Sequence, residues 1–231
     1  MALTRRQVLW LAAIGASGLP VAASAAAGKA PTDPLGGLST DAVGDLGLTS
    51  DPETMTLEAW SDTLIPGRKH RPTDPAIAGA ARGPGAVQAG AVEFMRFGPT
   101  GVAEILPAFV AALTAEATAY AATNRVSIDP TLPPFVALRY RHRMALVAQL
   151  TSSAISDEQL LWFAFSGLVF LGYHTAGHLH TAHAVRSGHP GLTSIGFPQP
   201  DHDDLWRFPH FSYRRRLAHS HPGTTHGGHP R

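Results

Sequence analysis

The chain has 231 residues, no cysteine and a formal charge of +1, which excludes thiol catalysis, iron–sulfur ligation and disulfide stapling. Neither charge nor composition supplies the basic stripe that nucleic acid requires. Hydrophobic residues make up 44% and charged residues 15%, so one globular domain must be held by its own core.

The first residues run Thr4-Arg5-Arg6-Gln7-Val8-Leu9-Trp10 into a mild apolar stretch ending near Val21, followed by Ala23-Ser24-Ala25. A positive start, an apolar middle and a small-residue site form the order of a cleavable signal peptide. The Arg5-Arg6 pair marks the twin-arginine route, which carries folded proteins. The apolar stretch is shorter than the ~20 residues a spanning helix needs, so the mature chain is expected not to span the membrane. Cleavage near Ala25 removes both arginines and leaves 16 basic against 17 acidic residues. The expected location is extracytoplasmic or secreted, with the twin-arginine export machinery as a partner.

Residues 26–50 are rich in Gly, Ala, Pro and Thr without a sustained period and read as a linker. A helical domain is expected over 51–187. Asp51-Pro52-Glu53 combines a capping residue with Pro at a first helical position, and Met55, Leu57, Trp60, Leu64 and Ile65 follow at helical spacing before Pro66-Gly67 stops the element. Pro84 is expected to open a helix carrying Val87, Ala91, Phe94 and Met95. Pro99-Thr100 opens the strongest periodic segment, with Val102, Ile105, Leu106, Phe109, Val110, Leu113, Ala117 and Tyr120. Another helix is expected from about Val136 to Leu150. Ser156-Asp157-Glu158 then starts a long helix running to about Arg186. Its first half, Leu160–Tyr173, is apolar nearly all round, the pattern of a buried central helix. Strand patterns are nearly absent. The expected fold is all-α, a single helical domain with a long buried helix and an irregular aromatic and His-rich tail over 188–231.

Eleven of the 13 histidines lie from His174 onward. On a helix, His174 and His178 fall on one face a turn apart, a spacing that lets two imidazoles reach one metal. A third ligand would have to come from elsewhere, such as Asp201, Asp203 or Asp204. Thr175 follows His174, so the HExxH protease signature is absent. No nucleophile elbow, phosphate loop or dinucleotide fingerprint occurs, and no catalytic residue is assigned. In the tail, Trp206 and Phe208 are candidate anchors for a partner, because aromatic side chains bury much area with few rotatable bonds.

The run Thr54-Met-Thr-Leu-Glu-Ala-Trp60-Ser-Asp62-Thr63-Leu64-Ile65-Pro66-Gly67, with Pro84-Gly85-Ala86 through Gly90-Ala91-Val92-Glu93-Phe94, resembles the first half of the small subunit of gluconate 2-dehydrogenase. Nearly the whole chain is similar to an actinobacterial group of exported proteins of unknown function, through Pro134-Phe135, His178-Leu-His180-Thr181-Ala182, Gly188-His189-Pro190-Gly191 and Leu205-Trp206-Arg207-Phe208-Pro209. The first resemblance implies a non-catalytic accessory subunit. It would carry the export signal for a flavoprotein oxidoreductase of sugars or alcohols that holds the FAD, with no cofactor in this chain. The His-rich second half departs from that pattern. The alternative is a self-standing exported metal-binding protein or metalloenzyme using His174 and His178.

The export reading rests on guanidinium groups rather than charge, since receptor recognition of this signal distinguishes Arg from Lys. Replacing Arg5 and Arg6 together by Lys is expected to retain the protein in the cytoplasm. Cell fractionation measures this, and undiminished export of the double variant would refute it.

Overall fold

The computed structural model describes residues 51–69, 71–200 and 206, and no strand occurs among them. Among the described residues there are eight α-helices: α1 (Pro52–Leu64), α2 (Ala91–Arg96), α3 (Leu106–Thr123), α4 (Pro134–Ala137), α5 (Tyr140–Thr151), α6 (Ser156–Thr175), α7 (Thr181–Arg186) and α8 (Pro190–Ser194). Two 3-10 turns, Gly98–Thr100 and Ala103–Ile105, precede α3. The expected all-α class holds. The segments expected to be a signal peptide (1–25) and a linker (26–50), with Phe208 and the tail aspartates, lie outside the described residues.

α1 begins where its sequence dictates. The Asp51 carboxylate accepts from the amides of Glu53 at 2.9 Å and Thr54 at 3.4 Å, and Pro52 needs no amide partner at the first position. Trp60 is fully buried at the centre of the core. Phe109 from α3 meets its ring edge-on at 5.3 Å, and Trp162 from α6 and Phe135 from α4 approach at 5.9 and 6.1 Å. Phe109 and Phe165 stack at 3.8 Å, so α1, α3, α4 and α6 share one aromatic centre. α3 turns Leu106, Phe109, Leu113, Ala117 and Ala121 inward at steps of three and four. Its outer face carries exposed Ala108, Ala111, Ala115 and Ala119. Ala103–Thr123 is the one described segment long and apolar enough to cross a membrane, and alanine on its outer side accounts for much of that composition.

Five boundaries differ from the sequence expectation, the first being that α3 starts at Leu106, after two 3-10 turns separated by Gly101 at φ 68°, rather than at Pro99-Thr100. α2 starts at Ala91 rather than near Pro84, because Gly90 sits in the left-handed region at φ 78°. The helix expected from Val136 is interrupted at Leu138 and Arg139, whose extended backbone separates α4 from α5. The long helix expected to reach Arg186 stops at Thr175, with Ala176 at φ 50° as its cap. A further short helix, α8, occurs within the segment read as irregular.

The connection from α1 to α2 spans residues 65–90 and is fixed by polar side chains from below. Asp62, 1% exposed, accepts the amides of Gly67 at 3.0 Å and Ala78 at 2.8 Å. Arg143 of α5, 3% exposed, donates to the carbonyl oxygens of Phe135 (3.1 Å), Leu138 (2.9 Å) and Pro75 (2.8 Å), and to those of Ala76 and Val136. Burial lowers the Arg143 pKa to about 10, opposed by nearby Asp62 and Asp74, so it stays charged at neutral pH. The start and end of the same connection touch: a Cβ on Gly85 would lie 2.5 Å from the Gly67 nitrogen and the Ile65 oxygen. Only glycine permits that approach.

Arg143→Met should leave five buried carbonyls without donors and destabilise the protein by about 3 kcal/mol or more. Arg143→Lys should recover less than half of that, because an ammonium lacks the planar fork that reaches several acceptors at once. Urea unfolding of the three proteins measures both effects. A Lys variant as stable as the parent would refute the fork's role.

Candidate functional site

α6 has apolar residues on every side, yet only one side of it is covered among the described residues. Trp162, Phe165, Leu168 and Val169 are buried and point to the shared core. Phe163, Phe170 and Leu171 are 58%, 43% and 47% exposed. At about 100° per residue, Phe163, Gly167, Phe170 and His174 fall on one stripe, with Leu171 at its edge. A Cβ built on Gly167 would meet nothing within 4 Å, so the stripe has a bare notch between its two phenylalanines. The sequence expectation of a helix surrounded by the others is therefore corrected: α6 is a core helix on one side and an open apolar face on the other. Contiguous exposed apolar surface of this kind marks interaction sites.

The packing that orients α6 comes from both ends of the domain. α2 lies against its C-terminal half, with Phe94 about 3 Å from where a Cβ on Gly172 would stand. α8 lies close to Tyr173, whose carbonyl oxygen would be 1.7 Å from a Cβ on Gly191, so no larger residue fits there. Buried His189 caps α8 by accepting the Leu192 amide on Nδ1 at 3.5 Å, which leaves Nε2–H to donate to the Ala89 carbonyl at 2.9 Å. These contacts fix which face of α6 stays outside.

The histidine pair singled out from the sequence does not share a helix. His174 is exposed near the end of α6, edge-on to Tyr173 at 5.0 Å. His178 lies beyond the break at Ala176, half-buried between Phe94 (6.3 Å) and Gly90. Its Nδ1 is buried with no hydrogen-bond partner. Burial holds its pKa below the usual histidine range, with Glu93 opposing and His189 reinforcing the shift. Among the described residues, no group of three His, Asp or Glu side chains is placed to hold a metal ion. The one-turn geometry that pointed to a shared metal is thus absent.

Trp206 is half-buried and packs within its own chain. Its Nε1 donates to the Pro198 carbonyl at 2.8 Å, its ring meets Phe197 at 5.9 Å, and it covers a small cluster of Ala176, Ala184, Val185 and Leu192. Arg5, Arg6 and Phe208 lie outside the described residues.

A family model matches residues 51–231, starting at the N-cap of α1 and including the whole tail. The chain belongs to the family of unknown function DUF5987. No curated protein and no solved structure matches it.

Sequence reasoning passed over two features of this DUF5987 protein that the sequence does carry. Arg143 stands at i, with Leu146, Val147 and Leu150 at i+3, i+4 and i+7, so a cation occupies a core position of an amphipathic helix. Phe163, Phe170 and Leu171 were legible as a stripe, but nothing in the sequence separates a covered stripe from an open one.

One acidic group is strongly perturbed. Glu58 on α1 is half-buried, and burial first, then Asp74, Glu93 and Asp51, push its pKa up to about 7, while Arg96 opposes. Arg96 is engaged instead with Glu53 at 3.3 Å and Asp51 at 3.9 Å. A carboxyl whose folded pKa is raised favours the folded state when protonated. Its stabilisation is therefore complete below the ordinary value of 4.5 and is lost as pH rises through about 7. Glu58→Gln should match the parent near pH 4.5 and exceed its stability at pH 8 by about 1 kcal/mol, allowing for partial solvent screening. Urea titrations at the two pH values test this, and an equal difference at both would refute it.

Proposed function

We propose that this protein is an exported, non-catalytic accessory subunit of a flavin-dependent oxidoreductase acting on sugars or alcohols, and that it engages the flavoprotein through the open face of α6. The observation that carries the reading is the stripe of Phe163, Phe170 and Leu171, exposed on a helix whose other side is fully used by the core. Burying the exposed half of three such side chains contributes about 1 kcal/mol each, a start for an interface that a partner extends beyond the stripe. The notch at Gly167 gives a partner side chain or helix a place to seat. The twin-arginine start and the likeness of the α1 and α2 segments to gluconate 2-dehydrogenase small subunits supply the choice of partner and the escort role. The FAD belongs to the partner, and the signal takes both subunits across the membrane folded.

Co-expression with the flavoprotein encoded nearest to this gene, followed by affinity capture, tests the reading. The flavin is expected to copurify with the complex and not with this chain alone. Phe163→Asp combined with Phe170→Asp should cut capture by at least about tenfold while leaving helical circular dichroism unchanged, since both side chains are outside the core. Capture unaffected by the double variant would remove the α6 assignment. Unchanged localisation of the flavoprotein after deletion of this gene would remove the escort role.

A further inference from the structure

Among the described residues, five of the eight exposed large apolar side chains lie on α6 or close to its ends, and they are arranged symmetrically. Phe163 and Leu171 stand equally far in sequence from Gly167, and so do Ile155, just before the helix, and Leu179, shortly after its end. All four are exposed. Phe170 is balanced by Ala164, and His174 by Leu160. A face shaped for an unrelated partner has no need of such balance. A two-fold contact between identical copies requires it, because each residue on one side of the axis must suit the residue equally far on the other side.

The ends of α6 choose the direction. Its first turn carries exposed Asp157 and Glu158, and its last turn carries exposed His174. Two parallel copies would set acid beside acid and like dipole ends together. Two antiparallel copies bring the acidic turn of one near the histidine of the other. Gly167 then lies on the axis. A Cβ there would meet nothing within 4 Å, so the two backbones can approach closely where the helices cross. At about 100° per residue, Phe163 and Phe170 stand on one flank of the stripe, and Ala164 and Leu171 stand on the other. An antiparallel two-fold sets each flank against its own copy. Phe163 therefore meets Phe170 of the second copy, and Leu171 covers Ala164.

We propose that the free chain pairs with a second copy of itself through α6, antiparallel, with Gly167 on the two-fold axis and Phe163 packed on Phe170 of the second copy. The contact requires no flavoprotein, and a flavoprotein that takes the α6 face displaces the second copy. A seam about 22 Å long covers roughly 400 Å² per copy, about half of what a stable interface of standard size buries. The dissociation constant is accordingly expected to be on the order of tens of micromolar.

The chain has no native cysteine, so single cysteines report the register. In the full chain, Gly167→Cys is expected to form a disulfide-linked dimer on mild oxidation, since the two sulfurs face each other across the axis. Phe163→Cys is expected to stay uncrosslinked although the site is exposed, because its two copies stand ~12 Å apart along the seam. Mixed with Phe170→Cys, it should crosslink. Sedimentation of the parent between about 5 and 500 µM should show a monomer–dimer equilibrium. Gly167→Glu sets like charges on the axis without touching the packing of the monomer, and should weaken that equilibrium at least about tenfold. A parent that stays monomeric throughout, as it would if residues 207–231 of the same copy covered α6, overturns the proposal. So does equal closure of Phe163→Cys and Gly167→Cys. Neither failure bears on capture of the flavoprotein, which is measured with both chains present.

Discussion

A single guanidinium holds the irregular half of this domain in place. Arg143 is charged, almost fully buried and without a carboxylate in direct contact, so its N–H groups must find carbonyls, the Nε–H being shared between two of them. It finds them on two segments that no helix organises: Pro75 and Ala76 in the α1–α2 connection, and Phe135, Val136 and Leu138 around α4. Asp62 does the converse from α1, accepting amides of Gly67 and Ala78. Burial raises the Asp62 pKa above the ordinary carboxylate value, and the two amides and Arg143 offset only part of the rise. One cation and one anion, not in direct contact, thus satisfy the polar backbone of a long connection that has no disulfide to secure it.

The consequences run outward to α6. With the 65–90 connection fixed, α2 is fixed, and α2 with α5 and α8 forms the seat that receives α6. The seat is narrower than the helix is apolar. Trp162, Phe165, Leu168 and Val169 fill it, whereas Phe163, Phe170 and Leu171 have no place in it. A helix that needed only to complete a core would carry polar residues on its outer side. The departure from that pattern is what makes the outer side of α6 the candidate surface for a partner.

The sequence revealed the regular parts well, for physical reasons. α1 was legible because Asp51, Pro52 and Glu53 encode their own cap, and α3 because Phe109, Leu113 and Ala117 repeat at helical spacing. The errors arose where one residue's backbone overrides a good pattern. Gly90 moves the start of α2, and Ala176 ends α6 in a run whose apolar period continues. That second override also dissolved the histidine pair, since a spacing of four signifies a shared face only within an unbroken helix. The exposure of Phe163 and Phe170 was not legible, because a period shows which residues share a stripe and not what lies across from it. Trp206 was legible as an anchor but not as one that holds its own chain.

Ala176 also restricts how this region of the protein can vary. Its backbone stands at φ 50°, where any Cβ is strained, and its methyl is fully enclosed between Val185 and Leu192. Glycine would relax the backbone and open a void. Asparagine would suit the torsion and bury an amide without a partner. Anything branched would fail on both counts. The position therefore has a very short alphabet, and each alternative letter would shift the angle at which the chain leaves α6 toward α7. The direction in which the chain leaves α6 toward α7 is thus encoded by one small residue.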